Sequence, residues 1–321
     1  MAEGRIYNLE DRRPQVLLLG NGIVYDEGIS WSELMRSIRR DDASLEGLWK
    51  EEKDGGRSLV PNNIFCDATA IVKDSERQNA CVKAFSTAQK KNKASAGSAA
   101  KCGDHDDDLI RLFLSLRPDA ILTTNYTYQI EDRIRPGYSA LSNDTKRKYA
   151  YNGGTRTKDG RFIIRTRNVF GEDLPEIWHI HGELRRKSSL VLTHDEYFRE
   201  VKYIYDYNAK RGNDYLEFRN DFKVKSWIDY FMIADIYVVG LSFDFSEFDL
   251  WWLLNRRQRE NAGTGNICFY EMEDKDTYSK ICALRQMKVE PYSLGYKKTD
   301  QQYNAFYKAV AEDIKEKMGE R

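Results

Sequence analysis

The feature that most constrains this chain is a set of short, continuously apolar runs. Val16–Leu19, Ala120–Leu122, Ile236–Val239 and Ile267–Tyr270 each fill only a few positions, with no polar alternation. Strands buried on both faces read this way, and helical stretches separate the runs. One helix is expected from Ser30, whose capping-box partner is Glu33, to about Arg40. Others are expected at 109–114, 126–135, 248–259 and 300–317, with a last strand at 289–292. Short helical patterns flank 64–89, and an aromatic-rich helical region is expected from 195 to 233. Strands alternating with helices predict an α/β fold with a doubly wound, mostly parallel sheet and inserted helical segments.

The apolar runs end in unusual residues. Leu19 leads into Gly20-Asn21-Gly22, Leu122 into Thr123-Thr124-Asn125, and Val239 into Gly240-Leu241-Ser242. Glu176 to His181 reads as a further strand closed by Gly182, with His179 and His181 on one face. Ligands of open α/β sheets bind beyond the carboxyl ends of the strands. Glycine turns there let a backbone approach a phosphate, which suggests a nucleotide. A dinucleotide fingerprint would need glycine where Tyr25 stands, so an ordinary nicotinamide dehydrogenase is disfavoured. Asn125 suits either a helix cap or an orienting amide. A histidine at a strand end suits either a core bond to a carbonyl or proton exchange.

Composition narrows the function classes. Lys+Arg and Asp+Glu are both 51, so no net positive charge draws the chain to nucleic acid, and direct nucleic-acid binding is not expected. No apolar run reaches the length of a membrane span, and the polar start is not a signal peptide. The five cysteines form no C-x-x-C pair. This fits reduced thiols in a cytoplasmic protein and argues against a cysteine-ligated structural zinc. Residues 90–108 are poor in bulky apolar side chains and are expected to form a surface loop. The aromatics Tyr197, Phe198, Tyr203, Tyr205, Tyr207, Tyr215 and Phe218 serve either packing within a helical layer or an interface.

The motifs Leu-Leu-Gly-Asn-Gly at 18–22, Thr-Thr-Asn-Tyr at 123–126, Ile-His-Gly at 180–182 and Gly-Leu-Ser at 240–242 stand in order, each at a strand end. Together they resemble the sirtuin-like NAD-binding fold, in its divergent bacterial branch found in antiphage defence. The resemblance spans roughly 14–295. It implies a Rossmann-like core from 14–40, 109–136, 176–194 and 234–295, with helical insertions at 41–108 and 195–233, all within one sirtuin-like domain over 1–321.

By position, the resemblance makes Asn125 and His181 the catalytic pair. Gly20, Asn21 and Gly22 become the phosphate turn, Thr124 joins the NAD contacts, and Gly240 and Ser242 line the adenosine side. The family's aspartate two residues after the asparagine is Thr127 here, so Asp26 or Asp132 would have to hold the nicotinamide ribose. His179 has no counterpart role. The paired cysteines of zinc-bearing deacylases are missing, which implies a branch that hydrolyses NAD as a substrate, without zinc. The expected products are nicotinamide and ADP-ribose. The rivals are an NAD-dependent deacylase or ADP-ribosyltransferase, and a non-catalytic NAD- or ADP-ribose-binding regulatory subunit. For a defence enzyme the resemblance implies a homo-oligomer, or control by a partner ATPase or helicase-like motor.

Overall fold

The computed structural model describes residues 5–24, 34, 74–98, 108–146, 148–151, 167–171, 173–211, 215, 220–260, 265–274, 277–298 and 302–319. In chain order the elements are β1 (Ile6–Tyr7), β2 (Gln15–Leu19), α1 (Asp74–Ser98), α2 (Leu109–Ser115), β3 (Ala120–Thr123), α3 (Gln129–Ile134), α4 (Asn143–Lys146), β4 (Ala150–Tyr151), β5 (Arg167–Asn168) and β6 (Glu176–His179). There follow α5 (His194–Arg211), β7 (Phe222–Lys223), α6 (Trp227–Ile233), β8 (Asp235–Val239), α7 (Phe248–Glu260), β9 (Ile267–Tyr270), α8 (Tyr278–Gln286), β10 (Val289–Tyr292) and α9 (Tyr303–Gly319).

The main sheet runs β10-β9-β8-β2-β3-β6-β5-β4. The strands from β10 to β6 are parallel, and β5 and β4 add an antiparallel margin. Strand order reverses between β2 and β8, the arrangement that opens a ligand crevice beyond the strand ends. The doubly wound, mostly parallel Rossmann-like architecture is the one the alternating pattern predicts.

Each central strand is apolar on both faces because helices cover both. Val16, Leu18, Ile236, Val238 and Leu122 face a core with Trp227, Phe231, Leu250 and Leu254 of α6 and α7. Leu17, Leu19, Ile121, Tyr237 and Val239 face Phe113 of α2 and Phe306, Val310 and Ile314 of α9. A third cluster joins Leu34, Cys81 and Phe85 to Tyr126, Leu190 and Leu192. It lays α1 over the carboxyl edge of the sheet. A buried ion pair at 2.9 Å, Arg77 to Glu196, ties α1 to α5.

Three expectations are corrected. The stretch 90–108, expected to be a surface loop, is helical as far as Ser98, where α1 ends, and 99–107 lie outside the described residues. The α1 run of Gln, Lys and Ala consists largely of good helix formers. The single helical region expected over 195–233 is interrupted: among the described residues, α5 ends at Arg211 and α6 starts at Trp227. Between them β7 pairs antiparallel with β1, and Ser226 starts α6 by a capping box with Asp229. The strand over 176–181 stops at His179, and Ile180 and His181 already belong to the turn. The two histidines therefore do not share a strand face. The expected helix from Ser30 lies outside the described residues apart from Leu34, as does the 41–73 part of the expected insertion.

Glycine is demanded where β2 and β8 end. A Cβ at Gly20 would lie 2.3 Å from the Gly240 carbonyl oxygen, and Gly240 itself has φ +67. Gly20→Ala is expected to cost about 1–3 kcal/mol by forcing the two backbones apart. Urea unfolding measured beside wild type checks this.

Candidate active site

Parallel register levels the strand ends. Val239 pairs with Leu19, Leu19 with Thr123, and Thr123 with His179. The residues just past this row meet around one cavity of about 330 Å³. That size lies within the range of small-molecule sites. Asn21, Gly22, Thr124, Asn125, His181, Gly240 and Ser242 all line it. Leu34 and Phe85 lie against it from the α1 side.

Gly20 stands just behind the wall. Its amide donates to the Val239 carbonyl at 2.9 Å, and the Gly22 amide donates to the Gly240 carbonyl at 2.8 Å. The two glycine turns are thus locked to each other as well as facing the cavity. Asp26 lies outside the described residues. Asp132 does not line the cavity, and its carboxylate accepts the Ser139 amide at 2.8 Å. Thr127 is on the wall, with its hydroxyl donated to Gln129.

Asn125 is held from three sides. Its amide nitrogen donates to Thr123 Oγ1 at 3.1 Å, and that hydroxyl donates to the Leu19 carbonyl at 2.9 Å. Its side-chain Nδ2 donates to the Gly20 carbonyl at 3.3 Å. Its own carbonyl accepts from His179 Nδ1 at 2.7 Å. His179 Nε2 donates to Glu131 Oε1, also at 2.7 Å, and Asn168 Nδ2 donates to the same oxygen. Burial alone disfavours the His179 imidazolium, but the Glu131 carboxylate outweighs it and pushes the pKa up to about 9. The charged ring then donates from both nitrogens. His179 clamps Asn125 from within the core.

His181 is placed by a different device. Gly182 has φ +92, and a Cβ there would lie 2.1 Å from the Ser189 carbonyl oxygen, so the chain turns sharply at that point. The turn brings the His181 ring to the cavity, edge-on to Tyr197 with centroids 5.4 Å apart. His181 Nε2 lies 3.0 Å from Asp249 Oδ2 in the first turn of α7. Both side chains are buried. A carboxylate accepts hydrogen bonds only, so Nε2 carries the proton and Nδ1 is the basic nitrogen of the neutral ring.

Asp244 and Glu247 complete the same wall. Asp249 and Glu247 were not foreseen from the sequence. Acidic residues at a helix start ordinarily complement the helix dipole. The available signal was three acids crowded into Asp244-Phe245-Ser246-Glu247-Phe248-Asp249, a short way past the strand-end Gly240.

A family model described as a SIR2-like domain matches residues 119–319. The chain belongs to the SIR2-like domain family. No curated protein matches it by sequence. Members of this family are NAD-dependent enzymes, and membership ties the chain to NAD-related activity in general. The match begins at the foot of β3, so β2 and its glycine turn lie before it and join the SIR2-like region through strand pairing. Among the described residues, no group of three or more His, Cys, Asp or Glu side chains could hold a metal ion. No described helix is long and apolar enough to cross a membrane.

Two predictions follow from the histidine pairings. His179 has its pKa raised to about 9 from 6.5, so its contribution to stability is complete below about pH 6.5 and fades as pH rises toward 9. The upper bound is on the order of 3 kcal/mol. Glu131→Gln should flatten that part of the curve of urea stability against pH. For His181, nitrogen-detected NMR should find the ring proton on Nε2 in wild type and on Nδ1 in Asp249→Asn. With four histidines in the chain, the signals can be assigned by substitution.

Proposed function

We propose that this SIR2-like protein hydrolyses the nicotinamide–ribose bond of NAD, giving nicotinamide and ADP-ribose. The observation that carries the reading is the meeting of Asn125 and His181 at one cavity on the strand-order switch point, with His181 backed by a buried carboxylate. Nicotinamide leaves a pyridinium as a neutral molecule and needs little acid assistance. The transition state then resembles an oxocarbenium ion, as in glycoside hydrolysis. What remains for the protein is to fix the ribose, restrict the nucleophiles and aim one water.

In this mechanism the Asn125 side chain orients the water through its Oδ1, while Nδ2 gives one of its two hydrogens to the Gly20 carbonyl. The neutral His181 ring takes a proton from the water or from a ribose hydroxyl. Asp249 steadies the imidazolium that forms. Such proton transfer is typically worth about 10²–10⁴-fold. The Gly20-Asn21-Gly22 turn receives the phosphates, Thr124 adds an NAD contact, and Gly240 and Ser242 border the adenosine half. Cavity lining by all of these except Gly20 supports the assignment.

We assign the activity to antiphage defence in the cytoplasm, where NAD loss must be held back until infection. Control then falls to self-association or to a partner ATPase or helicase-like motor. Two of the aromatics singled out in the sequence support a contact surface, since Phe198 and Tyr205 on α5 are more than half exposed. Tyr197 and Tyr215 are buried, and Tyr207 packs against the core, so these belong to packing. Phe218 lies outside the described residues.

Purified protein incubated with NAD alone, with its activator where one is needed, should release nicotinamide and ADP-ribose on chromatography. Asn125→Ala and His181→Ala should each lower that release by at least about 100-fold while circular dichroism stays unchanged. Full turnover in either variant would overturn the assignment. Turnover that requires an acylated or protein acceptor would identify a deacylase or transferase instead.

A further inference from the structure

The cavity wall has a charge asymmetry that the reaction above does not use. Its described lining includes Asp244 and Glu247, and no lysine or arginine. Glu247 is the more enclosed of the two acids and lines the cavity with Asn125, Thr127 and His181. Its position is rigid. The Glu247 carbonyl accepts the Leu250 and Trp251 amides at the start of α7, and its amide donates to the Asp244 carbonyl at 3.0 Å. One carboxyl oxygen, Oε2, accepts the Asp244 amide, also at 3.0 Å. The groups that face this carboxyl electrostatically are His181 from beyond β6, Asp249 from α7 and Asp244 from the same turn. With the Glu247 carboxyl ionised, such a wall repels phosphate and attracts a cation.

We propose that Glu247 is a substrate-contacting residue that reads the positive charge of the nicotinamide ring, making this end of the cavity selective for an oxidised pyridinium nucleotide over its reduced, neutral-ring form. The proposal rests on the NAD reading above and assigns the part of the substrate that each wall receives. Neutral backbone turns at Gly20–Gly22 take the phosphates, and the acidic wall at Asp244 and Glu247, facing His181 and beyond the Gly240–Ser242 border of the adenosine half, takes the cation. The same carboxyl also faces the positive charge that grows on the ribose as the bond to nicotinamide breaks.

Burial pushes the Glu247 carboxyl up to about 8, with Asp249 and Asp244 raising it and His181 opposing them. In the empty site near neutral pH it holds its proton. An arriving pyridinium favours the carboxylate and releases that proton to solvent, so selectivity for the oxidised form should grow as pH rises through about 8.

The test uses the full chain and a carbocyclic NAD analogue, which keeps the pyridinium but resists cleavage, together with its reduced dihydropyridine form. Calorimetry at about pH 6.5 and about pH 8.5 compares the two ligands. Wild type is expected to prefer the oxidised analogue by about tenfold at the higher pH and less at the lower. Heats measured in two buffers of different ionisation enthalpy should report proton release. Glu247→Gln keeps an acceptor for the Asp244 amide and should bind both forms within about twofold at both pH values. Glu247→Asp should retain part of the preference, and it replaces the glutamine variant if that variant does not fold. Unchanged preference in Glu247→Gln, or wild type binding both forms equally, would overturn the role of Glu247 while leaving NAD binding intact. If wild type binds neither form, the NAD reading fails and this inference falls with it.

Discussion

Everything in this molecule depends on parallel strand register. Val239, Leu19, Thr123 and His179 stand level across β8, β2, β3 and β6. A parallel sheet sends all its chain exits to one edge, and a level row makes those exits neighbours. Asn125 and His181 each follow the row by two residues and reach the same cavity from different strands. A slip of one residue would exchange core and opposite-face side chains on that strand and separate the pair. The register is secured by apolar side chains on both faces, which bind α6 and α7 on one side and α2 and α9 on the other.

The two histidines of Glu176 to Gly182 illustrate how burial divides chemistry. His179 is enclosed, charged and bonded at both nitrogens, so it is fixed in place and braces Asn125. His181 is paired at Nε2 to Asp249 and borders the cavity. The distinction arises where β6 stops at His179. Ile180 and His181 already belong to the turn, which Gly182 closes with its left-handed backbone. One histidine thus braces the strand end at Asn125, and the other borders the cavity that Asn125 also lines.

Much of the fold was legible in the sequence because its signals are local. Runs such as Val16–Leu19 and Ile236–Val239 can be buried on both faces only in a covered parallel sheet. The glycine turns and Asn125 could be placed at strand ends for the same reason. The helix-to-strand break between 211 and 227 was harder. β7 has only two residues, and its partner β1 lies more than 200 residues earlier in the chain. The helical path of 90–98 carried no apolar stripe to mark it, and intrinsic propensity alone is a weak signal.

The sequence by itself determined the doubly wound plan and the strand-end positions of Gly20, Gly22, Asn125 and Gly240. Those properties follow from short-range patterns of apolar burial and turn chemistry. Tertiary structure alone decided which acids serve the site. Asp249 is 68 residues from His181, and neither spacing nor composition links them. Only the passage of β8 beside β2 brings the start of α7, with Asp249 and Glu247, against the turn after β6. The pairing of β6 with β3 gives His179 its buried carboxylate partner, Glu131 on α3, and raises its pKa. Electrostatic environment is a property of the assembled site, because burial and distance between charges exist only once the chain has folded.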